Sequence, residues 1–291
     1  GMALFDLTRI FGYPYLKDNG ASLGVPIVKE LSTIDSKPAR NTVAECYTEI
    51  ISDLKNSTEL LSGDFNKGKV NRWAAMTLLS RVYLYKGEYN EALTMAENAI
   101  KGAEKEGYAL WTNEEYPTAW GNDASASNPG EILFEIVNLT TDSPGKESMG
   151  YLNSYNGYDD MCITCSFYQL LKKDPKDVRL KILSFDKKYY AYVNKYQPQQ
   201  GENITDANIP LIRLSEAYLN AAEAAVQTGD NAKAVKYLNS IVQRANPENS
   251  VEGKTLTLEN VLDERRKELV AEGHRMYDVI RNGMTVKRID V

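Results

Sequence analysis

A helix–turn–helix spacing occurs twice in this sequence, and it constrains the fold more than any other feature. In the first copy, a periodic apolar segment ends at Gly87, and Ala92 follows five residues later. In the second copy, Gly229 is followed at the same distance by Ala234. Small residues around a turn glycine suit closely packed antiparallel helices, because larger side chains would hold the helices apart. The sequence therefore predicts two helix pairs of the same design.

Both pairs fit the tetratricopeptide pattern of large, small and aromatic residues on the first helix and small residues on the second. Residues 43–101 are predicted to form the first tetratricopeptide-like unit, with helices at 43–61, 70–86 and 89–101. Residues 211–281 are predicted to form a second such unit followed by a third helix. We therefore predict an all-α fold of tetratricopeptide-like helix pairs, an α-solenoid or superhelix.

Residues 104–210 break the helical rhythm and are predicted to form a long irregular insert. An apolar run at 132–139 suits a short buried strand, and the alternation at 180–196 suits a hairpin. Eight of the 19 tyrosines fall within residues 151–196. Tyrosine in loops rich in Gly and Asn is the composition of an adaptable binding surface. We therefore expect ligand contacts in the insert and not on the helices.

Six side chains of the insert are candidates for a sugar site. Flat aromatic rings cover the C–H faces of a sugar, and carboxylates accept hydrogen bonds from its hydroxyls. The candidates are Trp111, Trp120, Tyr151, Tyr155, Tyr158 and Asp159. In the alternative interpretation, the aromatic residues pack over the hydrophobic face of the helices. The pair Asp159 and Asp160 also allows one member of a glycosidase acid pair, although nothing in the sequence marks its partner.

Composition excludes several other functions. The net charge of −6 and the absence of a Lys/Arg block argue against nucleic-acid binding. No apolar run reaches the length of a membrane-spanning helix, about 18 residues. Cys162 and Cys165 have the spacing of a zinc or redox motif, but zinc needs two more ligands, and the single histidine, His274, is far away in sequence. We predict no metal and no cofactor, and we interpret His274 as a structural residue and not a general base.

The charge-rich run at 263–268 allows two interpretations. It is either a recognition patch or a helix surface stabilised by an Asp263–Lys267 pair at four-residue spacing. The second interpretation also has an arginine of this run paired with acidic residues of the neighbouring helix. We favour the second interpretation.

Two segments resemble the SusD/RagB family, the surface glycan-binding lipoproteins of Bacteroidetes outer membranes. They are PLIRLSEAYLNAAEAA at 210–225 and DERRKELVAEGHRMYDVIR at 263–281. Residues 5–28, 72–93 and 174–183 resemble the same family in the same order. Residues 1–291 are accordingly expected to form a single SusD-like domain, as a fragment of a longer protein.

The resemblance implies a non-enzymatic protein that captures a glycan at the cell surface and delivers it to a SusC-like TonB-dependent transporter. It also implies a surface-exposed lipoprotein, held on the outer membrane by an N-terminal lipid anchor that this sequence does not include. Two alternatives remain: a tetratricopeptide scaffold that grips a peptide, and a helical glycoside hydrolase. The alanine-rich inner helix faces disfavour the scaffold, because we expect them to be closed against other helices.

Overall fold

The computed structural model describes all of the 291 residues except 32, 34, 67, 122–128, 187–189, 199–202 and 287–291. Helices dominate the described residues, and the strands are short. In chain order the elements are α1 (Met2–Phe11), α2 (Tyr15–Asp18), α3 (Val43–Leu60), α4 (Arg72–Lys86), α5 (Tyr89–Lys105), β1 (Ile132–Ile136), α6 (Met149–Leu152), α7 (Cys165–Lys172), β2 (Leu183–Phe185), β3 (Ala191–Val193), β4 (Ile209–Arg213), α8 (Leu214–Gln227), α9 (Asn231–Ala245), α10 (Leu258–Glu268) and α11 (Arg275–Arg281). The predicted all-α, tetratricopeptide-like class is confirmed.

The first predicted helix pair is formed by α4 and α5. The Asn71 side chain caps α4 by accepting the Ala74 backbone N–H at 2.9 Å. Gly87 ends α4 in the left-handed region, with φ of 82°, where a side chain would be strained. Ala92 and Ala96 are fully buried on α5, which packs against both α4 and α8. The small residues therefore lie where the helices approach one another, as the spacing predicted.

The second pair is formed by α8 and α9. Ala222, Ala225 and Ala234 are fully buried between the helices. Asp230 caps α9 by accepting the Lys233 N–H at 3.0 Å. Thr257 caps α10 and forms a reciprocal capping box with Asn260. The main apolar core runs through these helices and α3, α4 and α5.

The predicted start of the second tetratricopeptide-like unit is wrong, because a short strand precedes its first helix. Residues 211–213 lie in β4 and not in a helix, and α8 begins at Leu214. Strand β4 pairs antiparallel with β1, with Ile132 opposite Arg213 and Ile136 opposite Ile209. A short apolar run fits a strand and a helix equally well by periodicity, and here the pairing with β1 decides between them.

The insert has the elements that its sequence predicted. The strand expected at 132–139 is β1, and the hairpin expected at 180–196 is the antiparallel pair of β2 and β3. The hairpin residues 187–189 lie outside the described part of the chain. None of the helices in the described residues is long and apolar enough to cross a membrane.

Candidate functional site

A buried ion network joins the insert to the helical scaffold. Its members are charged side chains that lie in the interior and are paired with one another. They are Glu131, Asp177, Arg179, Lys195, Arg213, Arg244, Glu264, Glu268 and Glu272. Four of them belong to the insert, namely Glu131, Asp177, Arg179 and Lys195. The other five belong to the scaffold. The insert is therefore fixed to the helices by charge pairs as well as by apolar contact.

Glu268 is the centre of this network. Its carboxylate is fully buried and lies 2.6 Å from Arg244 Nη2, 3.1 Å from Arg213 Nη1 and 3.3 Å from Arg179 Nη1. Burial alone would raise the pKa of Glu268, but the three guanidinium groups outweigh it and hold this pKa well below its usual range. Lys195 donates to the Glu268 backbone carbonyl at 2.6 Å. One carboxylate thus contacts three arginines that come from the insert, β4 and α9.

The interpretation of residues 263–268 as a helix surface is wrong. Glu264, Arg265 and Glu268 are buried, because acidic and basic partners from other elements surround them. The expected Asp263–Lys267 pair is replaced by a contact of 2.5 Å between Lys267 and Glu264. The expected arginine pair with a neighbouring helix is confirmed, since Arg265 Nε lies 3.6 Å from Glu223 Oε2 on α8.

Trp111 and Trp120 lie in the interior and cover the ion network. They form an edge-to-face cluster with Tyr116, and the ring centroids of the two tryptophans are 4.9 Å apart. Lys195 and Arg213 lie over the Trp120 ring at 4.7 and 4.9 Å, within cation–π range. Trp111 is 8% exposed and Trp120 5%. Aromatic rings pack against both tryptophans, and two cations lie over Trp120, so their burial favours the packing interpretation.

The other four candidates come together in one surface segment, residues 145–161, which we call the tyrosine loop. The rings of Tyr151 and Tyr158 meet edge to face with centroids 5.1 Å apart. Tyr155 and Tyr158 are 45% and 44% exposed. The Asp159 carboxylate accepts a hydrogen bond from the hydroxyl of Tyr192 on β3, and the Tyr155 ring lies 6.1 Å from the Tyr192 ring. Tyr192 was not among the sequence candidates, although it lies in the tyrosine-rich stretch.

Close backbone contacts define the shape of the tyrosine loop. The Ser148 side chain caps α6 by accepting the Tyr151 N–H at 3.2 Å. The Tyr158 N–H donates to the Tyr151 carbonyl at 3.2 Å and closes the loop. A Cβ atom added to Gly157 would overlap that same carbonyl oxygen. Asp159 has a φ of 63°, a region that a residue with a side chain rarely occupies. The exposed rings are therefore carried by a defined backbone.

Gly157→Ala is expected to displace the tyrosine loop, because the new methyl group overlaps the Tyr151 carbonyl oxygen. Hydrogen exchange of the Tyr158 amide should accelerate at least tenfold, which corresponds to about 1.4 kcal/mol of lost local protection. Asn156→Ala, at the exposed neighbouring position, serves as the matched control and should leave this exchange rate unchanged. Equal exchange in both variants would contradict the proposed loop geometry.

His274 is a buried scaffold residue, as predicted. Burial lowers its pKa to about 4, against the opposing influence of the Glu216 carboxylate. Glu216 itself forms a bidentate pair with Arg81, at 2.5 and 2.6 Å, between α4 and α8. Although burial alone would raise the pKa of Glu216, Arg81 brings it down to about 2. His274 is therefore uncharged at neutral pH, and its Nδ1 atom makes no hydrogen bond.

Acidification from pH 7 to pH 5 is expected to destabilise the protein by about 2 kcal/mol through His274 alone. The unfolded state binds a proton with a pKa near 6.5, whereas the folded state resists it down to a pKa of about 4. The free energy of unfolding therefore decreases as the pH falls below 6.5. Urea unfolding at both pH values should show this loss in the wild type and a smaller one in His274→Gln. Identical losses would contradict it.

A second concave surface lies between α1 and α11. It is lined by tyrosines of several elements, including Tyr47, Tyr85 and Tyr277. Arg9 lies over the Phe5 and Tyr277 rings at 4.6 and 4.0 Å. The rings are thus engaged by a cation of the protein itself. Nothing in the sequence analysis indicated this pocket, because its lining residues come from distant parts of the chain.

Metal and thiol chemistry find no structural support among the described residues. Cys162 and Cys165 are both exposed and free. No group of three or more His, Cys, Asp or Glu side chains in the described part of the chain could hold a metal ion.

Comparison with known proteins gives consistent matches. Residues 131–290 match the SusD family, and residues 1–84 match a family described as "Starch-binding associating with outer membrane". A SusD-like protein of Bacteroides ovatus is 24% identical over 319 residues, which cover 96% of this chain and 56% of that protein. The starch-binding protein SusD of Bacteroides thetaiotaomicron is 36% identical over 97 residues, 33% of this chain and 17% of that protein.

A comparison of structures matches SusD superfamily proteins as well. The crystal structure of a SusD superfamily protein from Bacteroides vulgatus superposes with a TM-score of 0.92 at 40% identity. That match covers 99% of this chain and 66% of the solved chain. The chain thus spans little more than half of the Bacteroides ovatus relative and 66% of this solved relative.

Proposed function

The chain belongs to the SusD family, and on this premise we propose that it is a non-enzymatic glycan-binding protein of the outer-membrane surface. The observation that carries the proposal is the tyrosine loop, which presents Tyr155, Tyr158 and Asp159 on one exposed surface. The names of its relatives, which include a starch-binding protein, support a glycan as the ligand class.

The geometry of the tyrosine loop suits a sugar for two reasons. Exposed tyrosine rings can cover the apolar C–H face of a pyranose ring, while their hydroxyls remain available for hydrogen bonds. The Asp159 carboxylate, held by the Tyr192 hydroxyl, can accept hydrogen bonds from sugar hydroxyls. Because the loop backbone is already closed, less conformational freedom is lost when a ligand binds.

The buried ion network gives the interior of the insert a structural role, which is to fix the position of the tyrosine loop. Tyr192 holds Asp159 of the tyrosine loop, and three residues further along the chain Lys195 contacts Glu272 at 2.5 Å. Strand β3 therefore connects the ligand surface to the buried ion network. In the proposed function, the helices and the network fix the position of the loop, and the loop makes the contacts.

We further propose that the full-length protein is a lipid-anchored surface protein that passes its glycan to a SusC-like TonB-dependent transporter. The match of residues 1–84 to a family associated with the outer membrane supports this location. Tagged full-length protein purified from a Bacteroides host in mild detergent should retain a TonB-dependent barrel. Purification without any barrel, under conditions that preserve other membrane complexes, would contradict the proposed association with a transporter.

A catalytic role is not part of the proposal. Asp159 already accepts the hydrogen bond of Tyr192, and both glycosidase mechanisms need a second, suitably spaced carboxyl group that acts on the same bond. Overnight incubation with maltoheptaose and laminarihexaose should yield no shorter products. Appearance of shorter products that scales with protein concentration would establish a hydrolase instead.

A peptide-binding scaffold is not favoured by the described helices. A tetratricopeptide groove needs inner helix faces that are open to a ligand. Ala222 and Ala225 are fully buried against neighbouring helices, and so are Ala92 and Ala96 of the first pair. These inner faces are closed by the protein itself.

The test of glycan capture is a glycan array followed by calorimetric titration of the full-length protein. We expect saturable binding to at least one oligosaccharide of plant, host or microbial origin. Absence of binding to plant, host and microbial glycans, together with binding to peptides, would overturn the proposal.

A further inference from the structure

Three carboxylate residues lie in the same loop as the exposed tyrosine rings. Glu147, Asp159 and Asp160 are all exposed, and residues 145–160 contain a single basic residue, Lys146. The Tyr158 hydroxyl donates to Glu147 Oε1 at 3.4 Å. The charge of Glu147, and to a smaller degree that of Asp160, raises the pKa of Tyr158. Both carboxylates therefore act on the ring that is proposed to contact the sugar.

The only arginine of the insert is buried. Arginine is the side chain best suited to bind carboxylate or sulfate groups, because its planar fork donates two parallel hydrogen bonds. Within residues 104–210 the sole arginine is Arg179. It is buried and already paired with Asp177 at 2.6 Å and Glu264 at 2.7 Å. The insert thus has no arginine free to receive an anionic sugar.

We propose that the tyrosine loop selects uncharged glycans and excludes glycans that carry uronate or sulfate groups. This inference rests on the proposed glycan-binding function and specifies its substrate class. The hydroxyls of a neutral sugar that covers the Tyr158 ring can donate hydrogen bonds to the surrounding carboxylates. The carboxylate of a uronate at the same position offers only acceptors and places like charges side by side, which discriminates against a uronate-containing glycan.

The expected loss of affinity for uronate-containing glycans is large enough to measure. Like charges a few ångströms apart at an exposed site repel one another even in water, and Glu147 and Asp160 together should weaken uronate binding roughly tenfold relative to a neutral oligomer of equal length. Salt screens such exposed charges, so the difference should shrink as ionic strength rises.

The experiment titrates the full-length protein with laminarihexaose, maltohexaose and hexagalacturonate at 20 mM and 500 mM NaCl. The wild type should bind one of the neutral hexasaccharides at least tenfold more tightly than hexagalacturonate at 20 mM NaCl. The double variant Glu147→Gln with Asp160→Asn should bind hexagalacturonate more tightly than the wild type does. Because the same two carboxylates can also accept hydrogen bonds from the neutral sugar, the readout is the ratio of the two affinities, and the preference for the neutral oligomer should shrink in the double variant.

The outcomes separate the two proposals. Binding of hexagalacturonate as tight as that of the neutral hexasaccharides, or a preference that the double variant leaves intact, would overturn the selection of uncharged glycans but not glycan capture. Absence of binding to all three oligomers and to a wider glycan array would overturn both.

Discussion

Glu268→Gln is expected to lower the free energy of unfolding by roughly 3–5 kcal/mol, the usual loss when one partner of a buried charge pair is removed. The variant keeps the size of the side chain but removes the negative charge. Arg179, Arg213 and Arg244 would then remain in the interior with less compensation. Because burial denies these guanidinium groups water, the loss should greatly exceed that of a surface pair.

Urea unfolding at pH 7 measures this loss. Glu259→Gln, in the exposed first turn of the same helix, is the matched control and should change the stability by less than about 0.5 kcal/mol. Hydrogen exchange around Arg179 and Lys195 should accelerate in Glu268→Gln, because these residues anchor the insert to the scaffold. A loss below about 1 kcal/mol would show that the network does not hold the insert in place.

The double variant Tyr155→Ala with Tyr158→Ala is expected to weaken glycan binding at least tenfold while the melting temperature changes by less than about 2 °C. Aromatic contacts are worth about 0.5–1.5 kcal/mol each beyond their buried area, so two rings together account for such a loss. The small thermal effect follows from exposure, since nearly half of each side chain already faces solvent. Surface substitutions of this kind seldom change stability strongly.

Calorimetric titration and thermal melting of the same preparations measure both effects. Tyr13→Ala, which removes a comparably exposed tyrosine outside the insert, is the control and should bind the glycan as the wild type does. A fall of more than about 8 °C would place the two rings among the residues that hold the fold. Unchanged affinity would remove the tyrosine loop from the site.

The helical architecture could be predicted from the sequence because its signals are local. Turn glycines, cap residues and alanines at fixed offsets specify helix pairs within about 35 residues. Gly87 and Gly229 both adopt left-handed φ, and Asp230 and Thr257 cap the helices that follow them. The short strand β4 escaped prediction because its partner, β1, lies about 80 residues earlier.

The ion network could not be predicted, because its pairs are distant in sequence. Arg179 and Glu268 are 89 residues apart, and no periodicity connects them. A charge-rich helix such as 263–268 is ordinarily a solvated surface, and only the packed fold shows that its carboxylates face arginines. One local signal existed: Arg213 stands between Ile212 and Leu214 in an apolar run, where an unpaired charge would be costly.

The candidate site was predictable in part. Composition pointed to the tyrosine-rich insert, and four of the six candidates do lie together in the tyrosine loop. Trp111 and Trp120 were grouped with them because a large aromatic residue in an irregular segment gives no sign of its burial. The position of Trp120 against Lys195 and Arg213 follows from the ion network, which the sequence did not show.

Hydrogen exchange of the full-length protein, with and without a saturating oligosaccharide chosen from the glycan array, distinguishes the tyrosine loop from the pocket between α1 and α11 as the glycan site. We expect slower exchange in residues 148–161 and around Tyr192, with no change along the pocket between α1 and α11. Slower exchange around Arg9, Tyr47 and Tyr277, with the tyrosine loop unaffected, would place the glycan in that pocket and contradict the site proposed for this protein.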